Sequence, residues 1–157
     1  DHRDLHSFPT RRSSDLIDAP HFLEEVQKRG LQQEVKYLGK KYGKEKEELY
    51  RTSDIFVFPT YYYNECFPLV LLEAMQMHLP CISTTEGGIS SIIHDGENGY
   101  LVEMNNPIAL ADSIEKLLKD ADLRKNMGEK GWMRFRNEFT LEAFEKRMKN
   151  CLDKAMK

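Results

Sequence analysis

The apolar positions of this chain change their period several times along its length. After Pro20, Phe22, Leu23, Val26 and Leu31 lay an apolar face on a helix, with Pro20 suited to its start and Gly30 to its end. Val35, Tyr37 and Leu38 predict a short strand ending at Gly39, and Lys44 to Ser53 a charged helix with Leu49 and Tyr50 turned inward. The run Ile55-Phe56-Val57-Phe58, stopped by Pro59, reads as a buried strand. Thr60 to Cys66 reads as a loop and Phe67 to Met77 as a helix. Pro80 to Thr84 predicts another strand, Gly87-Gly88 the opening of a short helix over Ile89 to His94, and Asp95 to Gly99 a turn into the strand Tyr100-Leu101-Val102. Three helices follow, Pro107 to Lys119, Asp122 to about Phe135, and Thr140 to the end, with Trp132 and Phe135 expected in the core.

Helix and strand alternating at this interval predict an α/β fold: a three-layer α-β-α, Rossmann-like parallel sheet with C-terminal helices. Such sheets take ligands at the carboxyl ends of their strands. Two loops belong there, Thr60 to Phe67 and Thr85-Glu86-Gly87-Gly88, and both are expected at one edge of the sheet.

Length fits one domain. A net charge of −3 gives no basic field for nucleic acid. No apolar run approaches the roughly 18 residues of a membrane span, and no stretch reads as a signal peptide. Three widely spaced cysteines, Cys66, Cys81 and Cys151, predict neither a disulfide framework nor a zinc site and point to a reduced, cytoplasmic compartment. Residues 1–15 have no helix or strand period and resemble translated sequencing adapter. They are expected to be a non-native or disordered tail, with the domain proper over 16–157. His2 and His6, four apart, belong to that tail.

The candidate chemistry is acidic. Glu65 and Glu73 stand 73 − 65 = 8 positions apart. Glu73 interrupts an apolar helix, where a carboxylate needs a cleft or a partner. Glu65 precedes the same helix, beside the positive end of its dipole. Eight residues at about 1.5 Å rise span about 12 Å, beyond the roughly 5–9.5 Å of a glycosidase pair. Two carboxylates so spaced suit different parts of one long ligand, and carboxylates accept from the hydroxyls of sugars and riboses. An internal salt bridge for Glu73, and a cap or plain loop role for Glu65, are the competing readings. Gly87-Gly88 could cradle a phosphate or make a tight turn. Tyr61-Tyr62-Tyr63 could stack on a base or line the rim. Cys66 has no histidine nearby in sequence to make it a nucleophile. His78 and His94 read as ordinary surface or capping residues.

Taken in order, Ser53 to Pro59, Glu65 to Met75, Leu79 to Thr84, Gly87-Gly88, Asp95 to Val102 and the Phe139-Thr140 helix start resemble the C-terminal, donor-binding domain of GT-B glycosyltransferases. The group resembled is the retaining, glycogen-synthase-like group 1, glycosyltransferase family 4, over about Val35 to Lys157. The resemblance implies the nucleotide-sugar-binding half of a hexosyltransferase acting on a glycan, lipid or small-molecule acceptor. Glu73 would accept from the ribose hydroxyls, and Glu65, as the catalytic position, would contact the donor sugar. Backbone around Phe67, Pro68 and Leu69, with Gly87 and Gly88, would complete the donor site. It further implies a nucleotide sugar as partner, no cofactor and no metal. The N-terminal acceptor domain would be missing, any membrane contact would be peripheral and through that domain, and this fragment alone would be inactive.

Three departures from the family pattern stand out. Pro68 replaces a frequent glycine and brings no N–H. Ser90-Ser91 stand where a glutamate often follows the Gly-Gly pair. The family's phosphate-binding Arg and Lys lie upstream of this chain, and Lys36, Lys40 and Lys41 do not match them. The rival classes are a non-catalytic Rossmann-like interaction module, with Glu65 and Glu73 in internal salt bridges, and half of a GT-B sugar-nucleotide epimerase or phosphorylase.

Overall fold

Among the described residues, three short parallel strands carry the domain: β1 (Phe56–Phe58), β2 (Cys81–Thr84) and β3 (Gly99–Val102), in the order β1-β2-β3. The computed structural model describes residues 19–62 and 65–156. The expectations for residues 1–15 and for Tyr63 lie outside them. Val57 stands beside Ile82, and Ile82 beside Tyr100. Alternate side chains go to opposite faces of such a ladder, and two apolar clusters result. Phe56, Phe58, Cys81 and Leu101 pack with Leu71, Met75, Ile89 and Ile92 on one face. Val57, Ile82, Tyr100 and Val102 pack with Ile114, Leu117 and Met127 on the other. Every residue of β2 is buried, as a central strand covered on both sides requires. The three-layer expectation is met.

The helices are α1 (Ala19–Lys28), α2 (Gly43–Arg51), α3 (Leu69–Gln76), α4 (Pro107–Lys119), α5 (Ala121–Arg134) and α6 (Leu141–Ala155). Side-chain caps set three starts. Asn106 accepts from the Ala109 N–H at 3.0 Å, Asp120 from Leu123 at 2.8 Å and Thr140 from Ala143 at 3.2 Å. Among the described residues no helix is long and apolar enough to cross a membrane.

Four expectations need correction. The Val35-Tyr37-Leu38 strand does not form. Apolar pattern alone supplies no ladder partner, and Tyr37 instead lays its ring 5.8 Å from Phe22. The helix expected from Phe67 begins at Leu69. Proline disfavours helical backbone at the residue before it, and Pro68 is itself extended, with ψ 106°. The Ile89–His94 helix shortens to a 3-10 turn over Ile89–Ser91. Trp132 is half-buried rather than core. It stacks on His78 at 4.9 Å, with the Arg136 guanidinium 5.3 Å from the centre of its ring. Phe135 does pack against the core, at the start of a π-helical turn, Phe135–Phe139, that joins α5 to α6.

Candidate functional site

The carboxyl ends of β1 and β2 are tied together by hydroxyls. Ser83 donates to the Phe58 carbonyl and Thr84 to the Thr60 carbonyl, each at 2.6 Å. The loop after β1 is thereby held over the end of β2, and the loop after β2 closes on it. The Gly88 N–H donates to the Cys66 carbonyl at 3.0 Å, and a Cβ on Gly88 would stand 2.1 Å from that oxygen. The two predicted loops therefore share one edge and touch. The backbone of Gly87-Gly88 packs directly on the carbonyls of Glu65 and Cys66.

Glu65 is 4% exposed, and its side chain meets no hydrogen-bond donor among the described residues. Burial pushes its carboxyl above the usual range. It sits just before α3, whose first turn has no side-chain cap. Leu69 and Val70 there bring the N–H groups that any helix start leaves over. Phe67 and Leu69 are both exposed, and the Phe67 ring meets Phe139 edge-on at 6.0 Å. Pro68 stands ahead of the helix, so its missing N–H removes nothing from the first turn.

Glu73 lies one turn along α3 from Leu69, in the wall of an open cleft of about 320 Å³ formed with α2. Its Oε1 accepts from Lys46 Nζ at 2.7 Å and its Oε2 from the Tyr50 hydroxyl at 3.0 Å. The internal cation of the competing reading is thus present, but at an opening: the Lys46 and Glu73 side chains are 34% and 31% exposed. Glu65 does not line this cleft. Burial first, then the Glu73 charge, raises the Tyr50 phenol well above its ordinary range, so it stays a donor.

The family model for glycosyl transferases group 1 matches residues 21–133. The chain belongs to the group 1 glycosyl transferases. It is 37% identical over 135 residues to N-acetyl-alpha-D-glucosaminyl L-malate synthase of Bacillus anthracis, covering 82% of this chain and 34% of that protein. The solved C-terminal domain of a group 1 family protein, LpcC, from Francisella tularensis is 30% identical with a TM-score of 0.70, over 78% of this chain and 62% of that one. Anabaena HepE, solved with UDP-glucose, shares the fold at a TM-score of 0.73 and 19% identity, over 88% of this chain and 38% of its own. The chain spans about a quarter to a third of the length of the curated relatives it matches first. Its architecture is that of one half of a GT-B fold.

In this group 1 domain, Lys46 and Tyr50 are the residues that sequence reading passed over. They stand four apart on α2, hence on one face of it. That spacing, with Tyr50 the inward position of a charged helix, was the available signal. Tyr61 is 45% exposed at the rim. Cys66 is exposed and Cys81 buried. His94 and His78 bond to neighbouring side chains, His78 to Glu129 at 3.0 Å. Among the described residues no group of three or more His, Cys, Asp or Glu could hold a metal.

Proposed function

We propose that residues 16–157 are the donor-binding half of a retaining, family 4 glycosyltransferase that takes a nucleoside-diphosphate sugar. An acceptor domain elsewhere in the full protein would present a glycan, lipid or small-molecule acceptor in a reducing, cytoplasmic compartment. The observation that carries this reading is a buried carboxylate, Glu65, that meets no donor among the described residues and stands four positions ahead of the first residue of an uncapped helix, Leu69. Sugar hydroxyls would donate to the Glu65 carboxylate. A diphosphate suits the N-terminus of α3, where free N–H groups and the helix dipole both favour negative charge. Glu73 takes the ribose from its cleft, and Phe67, Pro68 and Leu69 bring the backbone close. Gly87 and Gly88 hold the Glu65 loop in place from behind. HepE with UDP-glucose supports the ligand class, and the malate synthase relative supports transfer to an acceptor. The leaving diphosphate is stabilised by the helix end and by basic side chains, without a metal.

Calorimetry of the chain with UDP, GDP and ADP tests the reading. One of the three binds, weakly and equally well in EDTA, and Glu73→Ala weakens that binding more than Glu65→Ala. The Lys46–Glu73 pair favours the second reading, a non-catalytic module. Absence of binding by all three at millimolar ligand, on a folded sample, decides for that module.

A further inference from the structure

An ionised carboxylate offers about four lone-pair positions, two on each oxygen. Lys46 occupies one on Oε1 of Glu73 and Tyr50 one on Oε2. One acceptor position is left on each oxygen, and neighbouring acceptors on one carboxylate match the vicinal hydroxyls of a ribose. Glu73 is accessible from the cleft in that half-satisfied state. We propose that Tyr50 and Lys46 are positioning residues for ribose recognition: Tyr50 fixes the plane of the Glu73 carboxylate, and Lys46 offsets its charge so that an anionic diphosphate can lie near it. This rests on the donor-binding reading above.

Tyr50 is suited to the first task. The residue is 9% exposed and its ring packs 5.5 Å from that of Phe56, so the hydroxyl is delivered from a fixed base. Lys46 is suited to the second. An ion pair about a third exposed adds little stability of its own, yet it removes a repulsion that any diphosphate would meet at a bare Glu73. The pair comes from one helix and meets the third member on another, so α2 acts as the template for the site.

The test compares UDP, GDP and ADP with their 2′-deoxy counterparts, by calorimetry on the chain. The wild type favours the ribose form of its best ligand by about tenfold, as expected for one hydrogen bond to a charged group. Tyr50→Phe keeps the ring and the fold. It lowers affinity for the ribose form, leaves the deoxy form nearly unchanged, and shrinks the preference to about threefold or less. Lys46→Gln weakens both forms by the same factor, and the loss fades as salt rises. An unchanged ribose preference in Tyr50→Phe overturns the orienting role, and unchanged affinity in Lys46→Gln overturns the charge role. Should circular dichroism show Tyr50→Phe unfolded, the Lys46 variant, at a side chain about a third exposed, still decides, because a loss confined to the ribose form contradicts its role. Failure of the donor reading looks different: the wild type then binds none of the six. A wild type that binds both forms equally removes the ribose contact, and this proposal with it, while nucleotide binding stands.

Discussion

Gly87 is closed against Glu65: a Cβ added to Gly87 would stand 1.5 Å from the Glu65 carbonyl oxygen. Its φ is +53°, a conformation that costs an ordinary residue about 1–2 kcal/mol. Overpacking adds about 1–3 kcal/mol more. Gly87→Ala is therefore expected to destabilise the domain by roughly 3 kcal/mol, read as a lowered urea midpoint. A midpoint within error of the wild type would show that the loop yields freely. It would also remove the claim that the two loops set each other's shape.

Glu65 should make stability depend on pH in a definite direction. Its folded carboxyl is raised by burial, against roughly 4.3 for an unfolded glutamate. A raised group contributes stability that is fully present below the unfolded value and is lost as pH rises through the folded one. Glu65→Gln removes that titration. The variant is expected to be more stable than the wild type at pH 7, with the gap narrowing steadily toward pH 5. Paired urea titrations at both pH values check this. A wild type that gains on the variant as pH rises would mean that its carboxylate has found a donor.

The last helix predicts association. No residue of α6 is buried, and Leu141, Phe144, Met148 and Leu152 are 72%, 52%, 45% and 55% exposed along one stripe. An apolar stripe of this kind seeks a cover. Light scattering of the chain is expected to show mass rising with concentration, and Phe144→Glu to return it to the monomer. A clean monomer at high concentration in the wild type would leave the stripe without consequence.

Much of this architecture is legible because burial imposes period. Ile55 to Phe58 and Pro80 to Thr84 read as strands, since both faces of each are covered. Pro107 to Lys119 matches its helix end for end, fixed by the Asn106 cap and by Pro107 at its start. The same logic misleads at Val35 to Leu38, where apolar residues answer to a neighbouring ring instead of a ladder. In the site, the carboxylates are legible because a charge inside an apolar helix is costly. Their surroundings are not. Whether Glu73 faces a cation depends on where α2 lands, 27 positions upstream in the case of Lys46. What Gly87 and Gly88 are for depends on a carbonyl more than twenty residues away in the chain. Such meetings are set by tertiary packing, which local pattern does not encode.

The thiols give a direct readout of the site. Cys81 is fully buried, and burial pushes its thiol up to about 12, so it should react with a thiolate-seeking reagent only on unfolding. Cys66 and Cys151 are exposed and should label in the native chain. Cys66 lies between Glu65 and the start of α3, whereas Cys151 lies on α6. The nucleoside diphosphate that binds in calorimetry is therefore expected to slow labelling of Cys66 several-fold and leave Cys151 unchanged, measured by mass spectrometry of labelled peptides. Equal slowing at both would point to a global change in stability. No slowing at Cys66, at saturating ligand, would move the diphosphate away from the α3 start and leave Glu65 without its proposed role.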